Sequence, residues 1–72
     1  MFMSNKLRVS LIQSWIEAGS PPLDDLGPAM GIHGLDVLKV MNGSSQPNSD
    51  IKERFAAVFN KSVDRLFPED QR

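Results

Sequence analysis

Apolar residues recur along this chain at helical spacing rather than in long runs. Near the start they fall at i, i+4, i+5, i+8 and i+9, which is the one-sided stripe of an amphipathic helix. The stripe consists of Leu7, Leu11, Ile12, Trp15 and Ile16. It predicts a first helix over residues 5–18, with Ser4 or Asn5 as its N-cap and Gly19 at its end.

A second, shorter helix is predicted after the Ser-Pro-Pro turn that follows. Its apolar residues Leu23, Leu26 and Met30 lie at i, i+3 and i+7. Pro28 lies inside this pattern, and its ring both removes a backbone hydrogen bond and clashes with the preceding turn. We therefore expect this helix to be kinked or to end early.

A third helix is predicted to begin at His33 or Gly34, after Gly31, and to stop at Asn42 and Gly43. Its inward residues are expected to be Val37, Val40 and Met41. Leu35 and Leu38 are then left at i, i+3 on the outward side of the helix.

Two more helices are predicted in the remainder of the chain. Ser49 is the expected N-cap of a fourth helix over residues 50–59, and Asn60 can adopt the left-handed conformation that ends it. Its inward residues are expected to be Ile51, Phe55, Val58 and Phe59. Ser62 opens a last helical turn over residues 63–67. The fold class is therefore all-α, a compact bundle of about five short helices in one domain, residues 1–72, with an ordered core of about 5–68.

Composition narrows the possible functions. Without cysteine and with one histidine, the chain has no disulfide framework, thiolate metal site or usual zinc ligand set. No carboxylate pair, Ser/His/Asp set or Gly-rich phosphate loop is present, so we expect no enzyme activity and no cofactor. The apolar runs are too short for a membrane span or signal peptide, which predicts a soluble, cytoplasmic protein. The aromatic residues Trp15, Phe55, Phe59 and Phe67 are expected in the core.

The longer C-terminal part of the chain resembles the lambda-repressor-like, or Cro/CI-type, helix-turn-helix family. The resemblance is carried by LGPAMGIHGLDVLKVMNGSSQPNSDIKERFAAVFNKSVDRLFPE, beginning at Leu26, and its most specific part is the closing SVDRLFPE. In that family the second helix holds the third across the DNA major groove. The resemblance implies a small transcriptional regulator, such as a repressor, that binds double-stranded operator DNA as a homodimer.

Carried onto this chain, the resemblance also implies DNA-contacting positions at the start of the third helix and in the loop after it. These positions are His33, Gly34, Leu35, Asp36, Lys39, Asn42, Ser44, Ser45 and Gln46. Basic residues that flank the motif could grip the DNA backbone from either side, or could form an ordinary solvated surface. They are Lys6, Arg8, Lys52, Arg54, Lys61 and Arg65.

The side chains at these positions also permit a different function. Gly34 offers no side chain, Leu35 can contact only a thymine methyl group, and Asp36 has the wrong sign for phosphate. Lys39 is the one basic residue between Val9 and Ile51, a stretch with five acidic residues. The whole chain has a formal charge of −1, whereas nucleic-acid binding usually relies on a clearly basic surface.

Leu35 and Leu38 support this second hypothesis, because two neighbouring exposed leucines can form a protein-binding patch. The alternative is therefore a helix-turn-helix-fold protein-interaction module with weak or lost DNA binding, which uses this patch of the third helix. A DNA-groove contact and a place in the core remain open for the same two residues. His33 can equally be a phosphate contact, a pH sensor or a plain cap, and Lys39 a DNA contact or a solvated charge.

Overall fold

The computed structural model describes residues 7–68, which form five helices. These are α1 (Val9–Glu17), α2 (Leu23–Ala29), α3 (Gly34–Met41), α4 (Ser49–Phe59) and α5 (Val63–Leu66). Residues 7–68 contain no strand, so the prediction of an all-α fold with five short helices is confirmed. The predicted start of the first helix at residue 5 is wrong, because α1 begins at Val9 with Arg8 as its N-cap residue. The predicted caps Ser4 and Asn5, and the cation Lys6, lie outside the described residues.

The predicted stripe of α1 is only partly correct. Leu11 is fully buried, and Ile12 and Trp15 are half-buried, but Leu7 and Ile16 are 62% and 55% exposed. The buried side of this helix instead runs through Arg8, Leu11 and Ser14, which is a face rotated away from Ile16. Since α1 packs on α3 and α5, the position of these later helices decides which side of α1 is covered.

Glycine and proline residues set the end of α1 and the short length of α2. Gly19 has a φ of +98°, a conformation that favours glycine, and α1 ends just before it as predicted. Pro28 is the second-to-last residue of α2, which ends at Ala29 after seven residues. This early end agrees with the effect expected of a proline inside a helix.

α3 has the boundaries and buried face that its sequence predicts. Val37, Val40 and Met41 are buried, and Asn42 followed by Gly43 at φ +85° ends the helix. The N-cap of α4 differs from the prediction by one position. The side-chain oxygen of Asn48, rather than that of Ser49, accepts a hydrogen bond from the Ile51 amide at 2.9 Å.

The core receives residues from all five helices. Its buried members are Leu11, Leu26, Met30, Val37, Val40, Met41, Phe55, Phe59, Leu66 and Phe67. Phe55 stacks on Phe59 with ring centroids 6.3 Å apart and meets Phe67 edge to face at 5.8 Å. Trp15 packs at the border of the core, and its indole N–H donates to the Pro21 carbonyl oxygen at 2.8 Å. Three of the four predicted core aromatics are therefore buried, and the fourth is half-buried.

Candidate functional site

α2 and α3 are in direct main-chain contact where they cross. A Cβ atom built on Gly27 would lie 2.6 Å from the Gly34 nitrogen, and one built on Gly34 would lie 2.7 Å from the Leu23 carbonyl oxygen. Such distances are shorter than real Cβ contacts, so only glycine fits at either position. The backbones of α2 and α3 therefore approach each other closely where they cross, which glycine at both positions allows.

The turn between these two helices, residues 30–33, is held from both sides. The Ile32 amide donates to the Gly27 carbonyl oxygen at 2.9 Å. From α4, Arg54 Nη1 donates to the Met30 carbonyl oxygen at 3.0 Å, while its Nη2 pairs with Asp50 at 3.0 Å. A cation at the carboxyl end of α2 also interacts favourably with the helix dipole. Arg54 therefore connects α4 to the turn that precedes α3.

The outward side of α3 presents two leucines and a lysine. Leu35 is 59% and Leu38 is 42% exposed, and Lys39 lies one turn after Leu35 on the same side. The prediction that both leucines lie on the outward side is confirmed, so neither of them is a core residue. Gly34 at the start of the helix is half-buried against Leu23 and presents no side chain.

His33 and Asp36 lie at the edges of this surface. His33 is exposed and is the N-cap residue of α3, but its side chain accepts no capping hydrogen bond. Its carbonyl oxygen accepts instead from the Asp36 and Val37 amides at 3.0 and 3.2 Å. Asp36 lines a cleft of about 220 Å³ between α3, the loop after it and the first turn of α4. The cleft also includes Val40, Ser45, Pro47, Asn48 and Ile51.

The polar residues after α3 are bonded within the protein. Asn42 Oδ1 accepts from the Ser44 amide at 2.9 Å and from the Ser44 hydroxyl at 2.5 Å. The amides of Ser44 and Ser45 donate to the Lys39 carbonyl oxygen at 3.0 and 3.1 Å. Gln46 Oε1 accepts from Arg8 Nη2 at 3.2 Å. A ligand that uses Asn42, Ser44 or Gln46 through these atoms must therefore replace an existing hydrogen bond.

Several of the flanking cations also make intramolecular contacts, which the sequence did not predict. Lys61 Nζ donates to Ser14 Oγ at 3.0 Å and to Glu17 Oε1 at 2.6 Å. The hydrogen bond from Lys61 and its positive charge lower the pKa of the Glu17 carboxyl below its ordinary value. The guanidinium of Arg8 and the ammonium of Lys52 lie 5.6 and 5.8 Å from the centre of the Phe67 ring.

Of these contacts, only the pair between Asp50 and Arg54 has a local sequence signal, its i, i+4 spacing. The others join residues far apart in the chain.

Within residues 7–68, no helix has the length and apolar character needed to cross a membrane. Comparison of the chain with protein-family models, curated proteins and solved structures found no match.

Proposed function

We propose that this protein is a small DNA-binding transcriptional regulator of the Cro/CI type, which binds operator DNA as a homodimer. The observation that carries the proposal is the main-chain contact of Gly27 and Gly34, which holds α3 across α2 with its outward side clear of the core. In helix-turn-helix proteins the first helix of the motif supports the second in the major groove in this manner.

The outward side of α3 offers a few groups that suit a DNA groove. Lys39 can donate to phosphate or to guanine acceptors, and Leu35 can contact a thymine methyl group. We expect His33 at one end of α3 and the loop of Ser44 and Ser45 at the other to meet the DNA backbone on either side of the groove. Acidic residues next to this surface, Asp36 among them, reduce the DNA phosphate charge that the surface can neutralise. We therefore expect Lys39 to supply a large share of the electrostatic attraction.

The test is binding of the protein to duplexes from around its own gene, measured by fluorescence anisotropy at two salt concentrations. Lys39→Ala should weaken binding to all bound sequences and reduce the log–log salt slope by about 1. Arg65→Ala removes one of the flanking cations: an unchanged slope would assign Arg65 to the solvated surface, and a reduced slope would assign it to the DNA backbone. Absence of any duplex bound above the non-specific level at low salt would overturn the proposal, as would a salt slope that Lys39→Ala leaves unchanged.

A second candidate function is favoured by the exposure of Leu35 and Leu38. Two leucines that are 59% and 42% exposed form an apolar patch on α3, and Asp36 is next to it in the helix. Such a surface suits a protein partner better than it suits phosphate. On this reading the chain is a helix-turn-helix-fold interaction module with weak or lost DNA binding.

Salt and mutation separate the two candidates. Replacement of both Leu35 and Leu38 by Ser should abolish capture of a co-purifying protein while leaving the far-ultraviolet circular dichroism unchanged. Binding through an apolar patch should also persist at high salt, whereas the affinity for DNA decreases as the salt concentration rises. Unchanged capture of the partner by the double variant would exclude this module.

A further inference from the structure

α1 presents a second apolar surface, on the side opposite the core. Val9 and Ile16 are 62% and 55% exposed, and Leu7 just before the helix is 62% exposed. Val9, Ile12, Gln13 and Ile16 lie at i, i+3, i+4 and i+7 and so share one side of the helix; we call this set the α1 stripe. Ile12 is half-buried, which makes it the edge of the stripe nearest to the core.

The apolar pattern of α1 is therefore wider than the core requires. Its periodicity predicts that Ile16 is buried, yet within the monomer Leu11 and Ser14 occupy the covered side. An exposed apolar surface of this kind is typical of an interaction site, whereas single exposed residues are ordinary. The stripe is thus a surface that can accept an occupant from outside the chain's own core.

The chemistry of the stripe selects that occupant. Residues 9–16 include no charged side chain, and Glu17, which follows them, is paired with Lys61, so two copies related by a twofold axis can approach with little like-charge repulsion. Gln13, exposed in the middle of the stripe, carries both a donor and an acceptor and can hydrogen-bond to its own symmetry mate. DNA or an anionic lipid surface would need cations here. The stripe itself has none, and Lys61, in the polar cleft beside Gln13, is paired with Glu17.

We infer that the α1 stripe is the surface through which two copies of this chain associate. A standard interface buries roughly 800 Å² per partner, and three exposed side chains with their neighbours cover less than that. The dimer is accordingly a weak one, with dissociation in the micromolar range or above. The inference rests on the homodimer of the proposed function, but its test contains no DNA.

The experiment is sedimentation equilibrium of the full chain from about 10 µM to about 1 mM. The apparent mass of the wild-type chain should rise with concentration from 8.0 kDa toward twice that value. Ile16→Glu buries an unpaired charge in the interface and should weaken association at least about tenfold. Val9→Glu is a second variant, and because a carboxylate is favoured in the first turn of a helix it should not disturb folding. Ala57→Glu, at an exposed position on α4, is the matched control and should associate like the wild type, while Leu35→Glu tests the α3 patch as the competing interface.

A mixing experiment tests the twofold arrangement directly. Ile16→Glu and Ile16→Lys should each be monomeric, while their equimolar mixture should regain association at low salt and lose it at high salt. A wild-type mass that stays at 8.0 kDa throughout would overturn the inference, and so would loss of association in Leu35→Glu but not in Ile16→Glu. A wild-type dimer that binds no duplex would refute the proposed function while leaving the α1 stripe as the interface. Operator binding by a chain that remains monomeric would refute both the α1 interface and the homodimer while leaving DNA binding in place.

Discussion

Gly27 and Gly34 lie where α2 and α3 cross, and neither position has room for a methyl group. The atoms that a new Cβ would meet are main-chain atoms, such as the Leu23 carbonyl carbon at 2.9 Å from the Gly34 position, and main chain cannot move aside as a flexible side chain can. Gly31 differs, because its φ is +75° and the atom nearest to a new Cβ is the Arg54 guanidinium nitrogen at 2.9 Å. Close approach thus requires glycine at the first two positions, and a positive φ requires it at the third.

We predict that Gly34→Ala destabilises the protein, although the same change inside an exposed helix stabilises by about 1 kcal/mol. The new methyl group forces α2 and α3 apart, and overpacking of this kind costs about 1–3 kcal/mol. Urea unfolding followed by circular dichroism measures the change. Asp36→Ala, at an exposed position two residues later in the same helix, is the control and should lie within about 0.5 kcal/mol of the wild type. A higher unfolding midpoint for Gly34→Ala would contradict the close contact.

Several helix ends are closed by a residue near them in sequence, and these residues decide where the helices stop. Asn48 and Ser62 supply side-chain caps to α4 and α5, and Asn60, at φ 57° and ψ 46°, ends α4 in the left-handed conformation. His33 is the N-cap residue of α3, but its side chain makes no capping hydrogen bond. The first turn of α3 is stabilised by its contact with α2 rather than by a capping side chain.

The cap of α4 gives a prediction that distinguishes two adjacent residues. Asn48→Ala removes the oxygen that accepts from the Ile51 amide and should reduce the free energy of unfolding by about 1 kcal/mol. Ser49→Ala, at the first residue of the helix, should change it by less than about 0.5 kcal/mol. Thermal and urea unfolding of both variants measure the difference. The reverse order would assign the cap to Ser49, as the sequence alone suggests.

Local sequence determines α3 and the helix ends well, and determines the environment of α1 poorly. The buried face of α3 follows from its own periodicity, and its exit follows from Asn42 and Gly43. Whether Ile16 or Ser14 is covered depends instead on where α5 packs, and α5 lies nearly fifty residues later in the chain. The same holds for the candidate site: the exposure of Leu35 was predictable, whereas the hydrogen bonds of Gln46 and Arg54 to distant elements were not.

At the scale of the whole molecule, two cationic side chains connect helices that are distant in sequence. Lys61, after α4, bonds to Ser14 and Glu17 of α1, and Arg54 bonds to the carboxyl end of α2. Ser14 is a buried residue, so the hydrogen bond from Lys61 also satisfies its hydroxyl group. These bonds join α1 to the corner between α4 and α5, and α4 to the turn before α3.

The bond between Lys61 and Glu17 should make stability depend on pH. Because the pKa of Glu17 is lower in the folded than in the unfolded chain, the bond stabilises the fold above the ordinary glutamate pKa of about 4.3, and this stabilisation is lost as the pH falls through the folded value. The melting temperature of the wild type should therefore fall more steeply below about pH 4 than that of Glu17→Gln. Glu53→Gln, which removes an exposed carboxylate from α4, should keep the wild-type profile. Parallel curves for wild type and Glu17→Gln would contradict the assignment.

The backbone contact between α2 and α3 has a consequence for protein engineering. Since two glycines hold the helices together, the side chains of Leu35, Leu38 and Lys39 are not needed to set the angle between them. These three positions can be randomised together in a library without repacking the interior. The chain then serves as a 72-residue, cysteine-free scaffold on which new recognition sequences can be selected, each displayed at the same tilt.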